Sequence, residues 1–166
     1  KEYYYAAKQI KEKFPEVVFK LIGPYDDNID AISPDLFSKI KSDGTVQYFG
    51  LFDDVRPYIN QSSLIVLPSY YREGVPRCLL EGMAMGRAVI TCNSVGCRET
   101  INPLLRKANG FLVPIKDIQQ LASKMEYYIR HTDDVARFGL NGRKYASEKF
   151  DVNKVNQTMV NILEGA

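Results

Sequence analysis

At 166 residues, with 45% apolar and 25% charged residues, the sequence has the size and composition of one compact domain able to bury a continuous core without disulfide or metal staples. A formal charge of +2 excludes the strongly basic character that drives binding to nucleic acid or an anionic membrane surface, and no apolar run approaches the roughly 20 residues that cross a bilayer. The three cysteines, Cys78, Cys92 and Cys97, are an odd number placed in segments that read as helix, strand and loop, which argues for reduced thiols in the cytoplasm and against a secreted disulfide framework.

In chain order, the first pattern is an amphipathic helix over 3–14, entered at once from Lys1 with neither a methionine nor a capping residue before it. That abrupt entry predicts a piece of something longer. Five short apolar runs follow, at 17–23, 45–50, 64–69, 88–93 and 110–114, each closed by glycine, proline or a small polar residue. Leu64-Ile65-Val66-Leu67 and Ala88-Val89-Ile90-Thr91 are apolar on both faces, as strands of a parallel sheet covered by helices must be. Helical patterns at 35–42, 53–61 and 75–85 alternate with the strands, and three more, at 117–131, 133–149 and 152–164, make a helical tail with Asp117, Thr132 or Asp133, and Asp151 as N-caps. Such alternation predicts an α/β, Rossmann-like, doubly wound parallel sheet whose ligands bind beyond the carboxyl ends of the strands. The loops after Gly23, Gly50, Ser69 and Asn93 are therefore the places to search, and the polar segment 26–34 is expected to be a loop.

The chemistry concentrates in residues 68–86. A buried strand ends at Ser69, a polar loop carries Arg72, Glu73 and Gly74, and Pro76 stands where it can open a helix as its first residue. The unpaired N–H groups and positive dipole end of that helix suit a phosphate, and Gly74 allows close approach to the backbone. Glu73 and Glu81 are eight positions apart, on the order of 10 Å along a helix, which suits a long ligand with hydroxyls at both ends: a sugar at Glu73, a ribose at Glu81 and a diphosphate between them. An arbitrary pair of glutamates at this spacing is most often a pair of solvated side chains, so the weight falls on the context.

That context resembles the Glu-x7-Glu signature of the family 4 retaining glycosyltransferases, written roughly P-S-x-x-E-G-x5-L-E-A-M-A-x-G-x-P-V-I. Glu73-Gly74, Leu80-Glu81, Met83-Ala84, Gly86 and Val89-Ile90 are in step with it, with Pro68-Ser69 one position further upstream. The likeness extends to Leu21-Ile22-Gly23, Val46, Phe49-Gly50, Gly96, Glu99 and Asn109-Gly110-Phe111-Leu112-Val113, so that it covers essentially the whole chain. Residues 70–77 resemble the subgroup that builds bacterial surface polysaccharides. The resemblance implies the C-terminal, donor-binding domain of the GT-B architecture, with Glu73 on the donor sugar and Glu81 on the ribose. It also implies the backbone of Gly74, Val75 and Arg77, beside Pro76, near sugar and diphosphate, and the Phe49-Gly50-Leu51 loop beside the base, with Gly23 at the neighbouring strand end. It implies a UDP-sugar as donor, a hexose or N-acetylhexosamine as the group transferred, and work in the cytoplasm, at the inner face of the membrane in full length. Gly82 departs from the family's alanine and Ala88 from its proline. The family's first strand of this domain, with the arginine and lysine-glycine pair that clamp the diphosphate, would precede Lys1, so the sheet is expected to be incomplete at its N-terminal edge and the acceptor-binding domain to lie outside the chain.

Other chemistries find less support. Arg72, Arg77 and Arg98 could neutralise a diphosphate, although loop arginines are more often solvated. The single histidine, His131, suits a helix C-terminus, and no Ser/His/Asp set is evident. No Asp-x-Asp pair or clustered Cys/His set is present, so no metal or cofactor is expected. A non-catalytic nucleotide-sugar-binding or interaction module is the alternative function. A dinucleotide oxidoreductase ranks last for want of a Gly-x-Gly-x-x-Gly turn.

Overall fold

A computed structural model describes residues 1–26, 31–72 and 74–165. Helix α1 (Glu2–Lys13) buries Tyr4, Ala6, Ala7 and Ile10, the spacing of one helix face, and packs that face against α5 (Ile118–Arg130), which answers with Leu121, Ala122, Met125 and Tyr128. Strand β1 (Lys20–Ile22) pairs in parallel with β2 (Gln47–Gly50), in register from Lys20↔Gln47 until a shift between Leu21 and Ile22. Between them lies α2 (Pro34–Ser42), with Pro34 in its first turn and the Ser33 hydroxyl accepting from the Leu36 N–H. After the short α3 (Arg56–Asn60) come β3 (Leu64–Leu67), α4 (Arg77–Ala84), β4 (Ala88–Cys92) and β5 (Gly110–Val113). These three strands pair in parallel in the order β3-β4-β5, in unbroken register from Leu64↔Ala88 and from Val89↔Gly110. Helices α6 (Thr132–Lys149) and α7 (Val152–Glu164) close the chain.

The α/β alternation, the parallel pairing and the helical tail are those predicted, but the hydrogen bonding is in two pieces. Among the described residues nothing pairs with the outer side of β1 or of β3. One core nevertheless runs through both, since Phe19, Ile40 and Val46 share a cluster with Ala88, Ile90, Cys92 and Val113 and with the buried face of α1. On the β1 side the Tyr3 hydroxyl donates to the Lys20 carbonyl at 3.0 Å. Strand β4, flanked on both sides, is buried at every residue, whereas β3 is only half-buried along its length, less than its apolar sequence predicts, because it stands at an edge.

In the tail, Asp117 and Asp151 cap α5 and α7 as expected. The cap expected at Thr132 or Asp133 is instead His131, which ends α5 and precedes α6 directly, leaving no intervening turn for a side-chain cap. Helix α6 packs on α4 and β4 at backbone distance: a Cβ at Gly139 would stand 2.1 Å from the Gly86 carbonyl oxygen. Helix α7 buries no residue.

Candidate functional site

Strand β3 delivers the chain into the predicted loop. Its end is fastened to β4 and the turn beyond: the Thr91 hydroxyl donates to the Leu67 carbonyl at 2.8 Å, and the Ser94 hydroxyl to the Ser69 carbonyl at 3.0 Å. Tyr70 and Tyr71 stack with ring centroids 5.1 Å apart. Arg72 is exposed, and Glu73 lies outside the described residues. Gly74 is exposed with nothing within 4 Å of where a Cβ would stand, so a ligand can reach its backbone. Val75 is half-buried.

Pro76 is the N-cap of α4, one place earlier than predicted. Its ψ of 123° is extended, so it stays outside the helix while its carbonyl accepts from the N–H groups of Leu79 and Leu80. Among the described residues no side chain caps α4, and its N-terminal dipole end faces the loop that holds Gly74. Leu79, Gly82 and Met83 turn inward from this helix, while Arg77 is exposed and Glu81 half-exposed. The Arg77 guanidinium is 3.9 Å from the Glu81 carboxylate, a loose surface pair contributing at most about 0.5 kcal/mol, so the carboxylate remains available to hydroxyl donors.

At the other strand ends, Gly23 and Gly50 meet: the Gly23 N–H donates to the Gly50 carbonyl at 2.8 Å, and the Tyr48 hydroxyl donates to the Gly23 carbonyl at 3.0 Å. Phe49 and Phe52, both partly exposed, pack on Tyr58, which the sequence did not single out, and Leu51 is exposed beside them. This is an apolar, aromatic edge of the kind a planar base can cover.

The matching family model is the glycosyl transferases group 1 model, over residues 3–131. The chain belongs to this family. It is 28% identical over 99% of its length to the N,N'-diacetylbacillosaminyl-diphospho-undecaprenol alpha-1,3-N-acetylgalactosaminyltransferase of Campylobacter jejuni, and 29% identical over 85% to the putative glycosyltransferase EpsD of Bacillus subtilis. It spans 40% and 35% of the length of these two relatives. Among solved structures, Alr3699/HepE of Anabaena in complex with UDP superposes with a TM-score of 0.84 at 23% identity, over 98% of this chain and 44% of that one. The fold is that of the GT-B glycosyltransferases.

Within the family motif the structure explains one departure. A Cβ at Gly82 would stand 2.5 Å from Ile65 Cγ1, so the branched side chain on β3 fills the space that a motif alanine would take. Asn109, fully buried, binds the loop after β4 from both ends of its amide, donating to the Thr100 carbonyl at 2.8 Å and accepting from the Asn102 N–H at 2.8 Å.

The remaining candidates have partners within the fold. Arg98 turns back to the Ser94 carbonyl, and Glu99 pairs with Lys149 of α6 at 2.8 Å, whose hydrogen bond holds its carboxyl below the usual range. His131 stacks on Tyr127 at the end of α5. No disulfide joins Cys78, Cys92 and Cys97, and burial pushes the Cys92 thiol up to about 11, which keeps it unreactive. Among the described residues no group of three or more His, Cys, Asp and Glu side chains could hold a metal ion, and no helix is long and apolar enough to cross a membrane. A hollow of about 690 Å³ lies between α1 and the turn after β5, lined among others by Tyr5, Lys8, Glu12 and Lys116. Its lining mixes both charges and includes no residue of α4.

Sequence reasoning passed over Lys116 in that turn. It is the one residue other than glycine with a positive φ among those described, at 61°, and its ammonium sits 4.8 Å from the centre of the Tyr70 ring. The backbone conformation costs a lysine about 1 kcal/mol, and an exposed cation over a ring returns about 0.5–1 kcal/mol, so the two nearly cancel. The signal available was the turn itself, closed by Pro114 and by the cap Asp117.

Proposed function

We propose that this chain is the donor-binding domain of a retaining glycosyltransferase. The full protein would transfer a hexose or N-acetylhexosamine from a UDP-sugar to a glycan or lipid-linked acceptor in surface polysaccharide synthesis, working in the cytoplasm at the inner face of the membrane. The observation that carries the reading is the tip of α4: an uncapped helix N-terminus, preceded by an open Gly74 and followed one turn in by the half-exposed Glu81. In this reading the diphosphate lies at the helix tip on the N–H groups of Gly74, Val75 and Arg77, beside Pro76. The Glu81 carboxylate accepts both ribose hydroxyls, Glu73 accepts those of the sugar as the residue at the reacting centre, and Phe49, Gly50 and Leu51 border the base with Gly23 behind them. Arg72 and Arg77 supply the positive charge that a leaving diphosphate requires.

Two features support a two-domain parent protein: the chain spans well under half of its relatives, and β1 and β3 each keep an unpaired side while sharing one core. A further parallel strand between them would complete the sheet, and an acceptor-binding domain would complete the cleft.

Calorimetric titration with UDP tests the ribose role. The chain binds UDP, and Glu81→Ala weakens binding about tenfold or more through the loss of charge-assisted hydrogen bonds. Equal affinity in the two proteins removes Glu81 from the site. The 166 residues alone are expected to transfer no sugar in a donor-consumption assay, and turnover by them would overturn the two-domain reading.

A further inference from the structure

Residues 69–72 and 74–76 belong to the loop on which the proposed donor site depends, and the structure holds these parts from different strands. Its root is fastened to the turn after β4 by the Ser94 hydroxyl on the Ser69 carbonyl. Its far end is Pro76, buried at the start of α4. Between these points Tyr70, stacked on Tyr71, meets a cation that arrives from the turn after β5.

That turn is stiff. The Asp117 N–H donates to the Pro114 carbonyl, and the Asp117 carboxylate caps α5 by accepting from the Gln120 N–H at 2.8 Å. Lys116 projects from it in a left-handed conformation that glycine would adopt without strain. Because the strain and the ring contact nearly cancel, the lysine adds little to the stability of the fold. Its effect falls on where the Tyr70–Tyr71 stack sits.

We propose that Lys116 is a positioning residue for donor binding: by holding its ammonium over Tyr70 it fixes the tyrosine stack and with it the course of the loop toward Gly74 and the tip of α4. The inference rests on the donor-site reading given above, but its central contact does not. It requires Lys116 to act through the Tyr70 ring, without touching the nucleotide itself.

Three single variants of the 166-residue chain and one double variant separate these ideas, measured by UDP titration, by melting temperature and by the rate of tryptic cleavage after the exposed Arg72. Lys116→Gly keeps the backbone conformation and removes the cation. It is expected to melt no lower than the parent, to be cut severalfold faster after Arg72 and to bind UDP roughly three- to tenfold more weakly. Lys116→Arg restores both loop readouts, since guanidinium also sits well over a ring. Tyr70→Leu reproduces the losses of Lys116→Gly, and combining the two adds nothing further because they break one contact. Multiplying losses in the double variant would mean that Lys116 touches the ligand directly, and would overturn the proposal. So would unchanged cleavage in Lys116→Gly. If the parent chain binds no UDP, the donor reading fails while cleavage after Arg72 still decides the tether. If UDP binds parent and variants equally and cleavage is unchanged, the tether fails while the donor reading stands.

Discussion

The two halves of the molecule use glycine for opposite purposes. Around β3, β4 and β5 three glycines stand where a side chain has no room: a Cβ would lie 2.5 Å from Ile65 at Gly82, 2.2 Å from the Val89 carbonyl oxygen at Gly110 and 2.1 Å from the Gly86 carbonyl oxygen at Gly139. Around β1 and β2 the space is open at Gly23 and Gly50, and what matters is the backbone, with φ of 139° and 77° at the ends of the two strands. One half packs to backbone contact and buries β4 completely; the other is short and half-exposed and turns its chain sharply at the carboxyl ends of its strands. Rigidity is thus concentrated under α4, the helix whose tip is the proposed diphosphate site, and the edge proposed for the base is built from turns and partly exposed rings.

The strongest way to break this contrast is Gly139→Ala. A methyl group cannot share space with the Gly86 carbonyl, so α6 must lift from α4 and β4, at a cost of about 3 kcal/mol. Thermal unfolding should shift down by roughly 10 °C for a chain of this size. A change under about 2 °C would show that the close approach is not needed. A smaller effect is expected in the other half. Gly50→Ala meets no neighbour and pays only for its left-handed backbone, about 1 kcal/mol, while displacing Leu51 and weakening UDP binding more than stability. A loss of stability equal to that of Gly139→Ala would erase the distinction between the halves. The smallest effect belongs to α7, where Leu163 is exposed: Leu163→Ala should change stability by less than about 0.5 kcal/mol in chemical denaturation. A larger loss would place α7 inside the cooperative unit.

Much of this was legible before any coordinates. The strand runs end within a few residues of the observed strands, because each is closed by residues that cannot continue a buried strand, such as Gly50 and Pro114. Asp117 and Asp151 announced their helices because a carboxylate before an apolar-periodic run satisfies orphan N–H groups. The start of α4 and the place of Glu81 within it were legible because the strand-loop-helix pattern is local. Pro76 was placed one position too far into the helix, since its fixed φ of about −65° fits the cap and the first turn equally well and only ψ separates them. The cap of α6 was misplaced because Thr132 and Asp133 are themselves favourable capping residues, whereas α6 starts at Thr132, directly after His131. Glu73, the residue assigned to the reacting centre, lies outside the described residues and rests on the motif alone.

The sequence by itself determined the order of strands and helices, the parallel pairing that the alternation demands and the position of the loop that leads into α4, all of which follow from short-range periodicity and punctuation. Only the tertiary structure decided that Ile65 stands where a motif alanine would need room and that Lys116 reaches back to Tyr70. Those are relations between residues from 17 to 46 positions apart, and they depend on how faces meet in space, which a pattern read along one dimension does not contain.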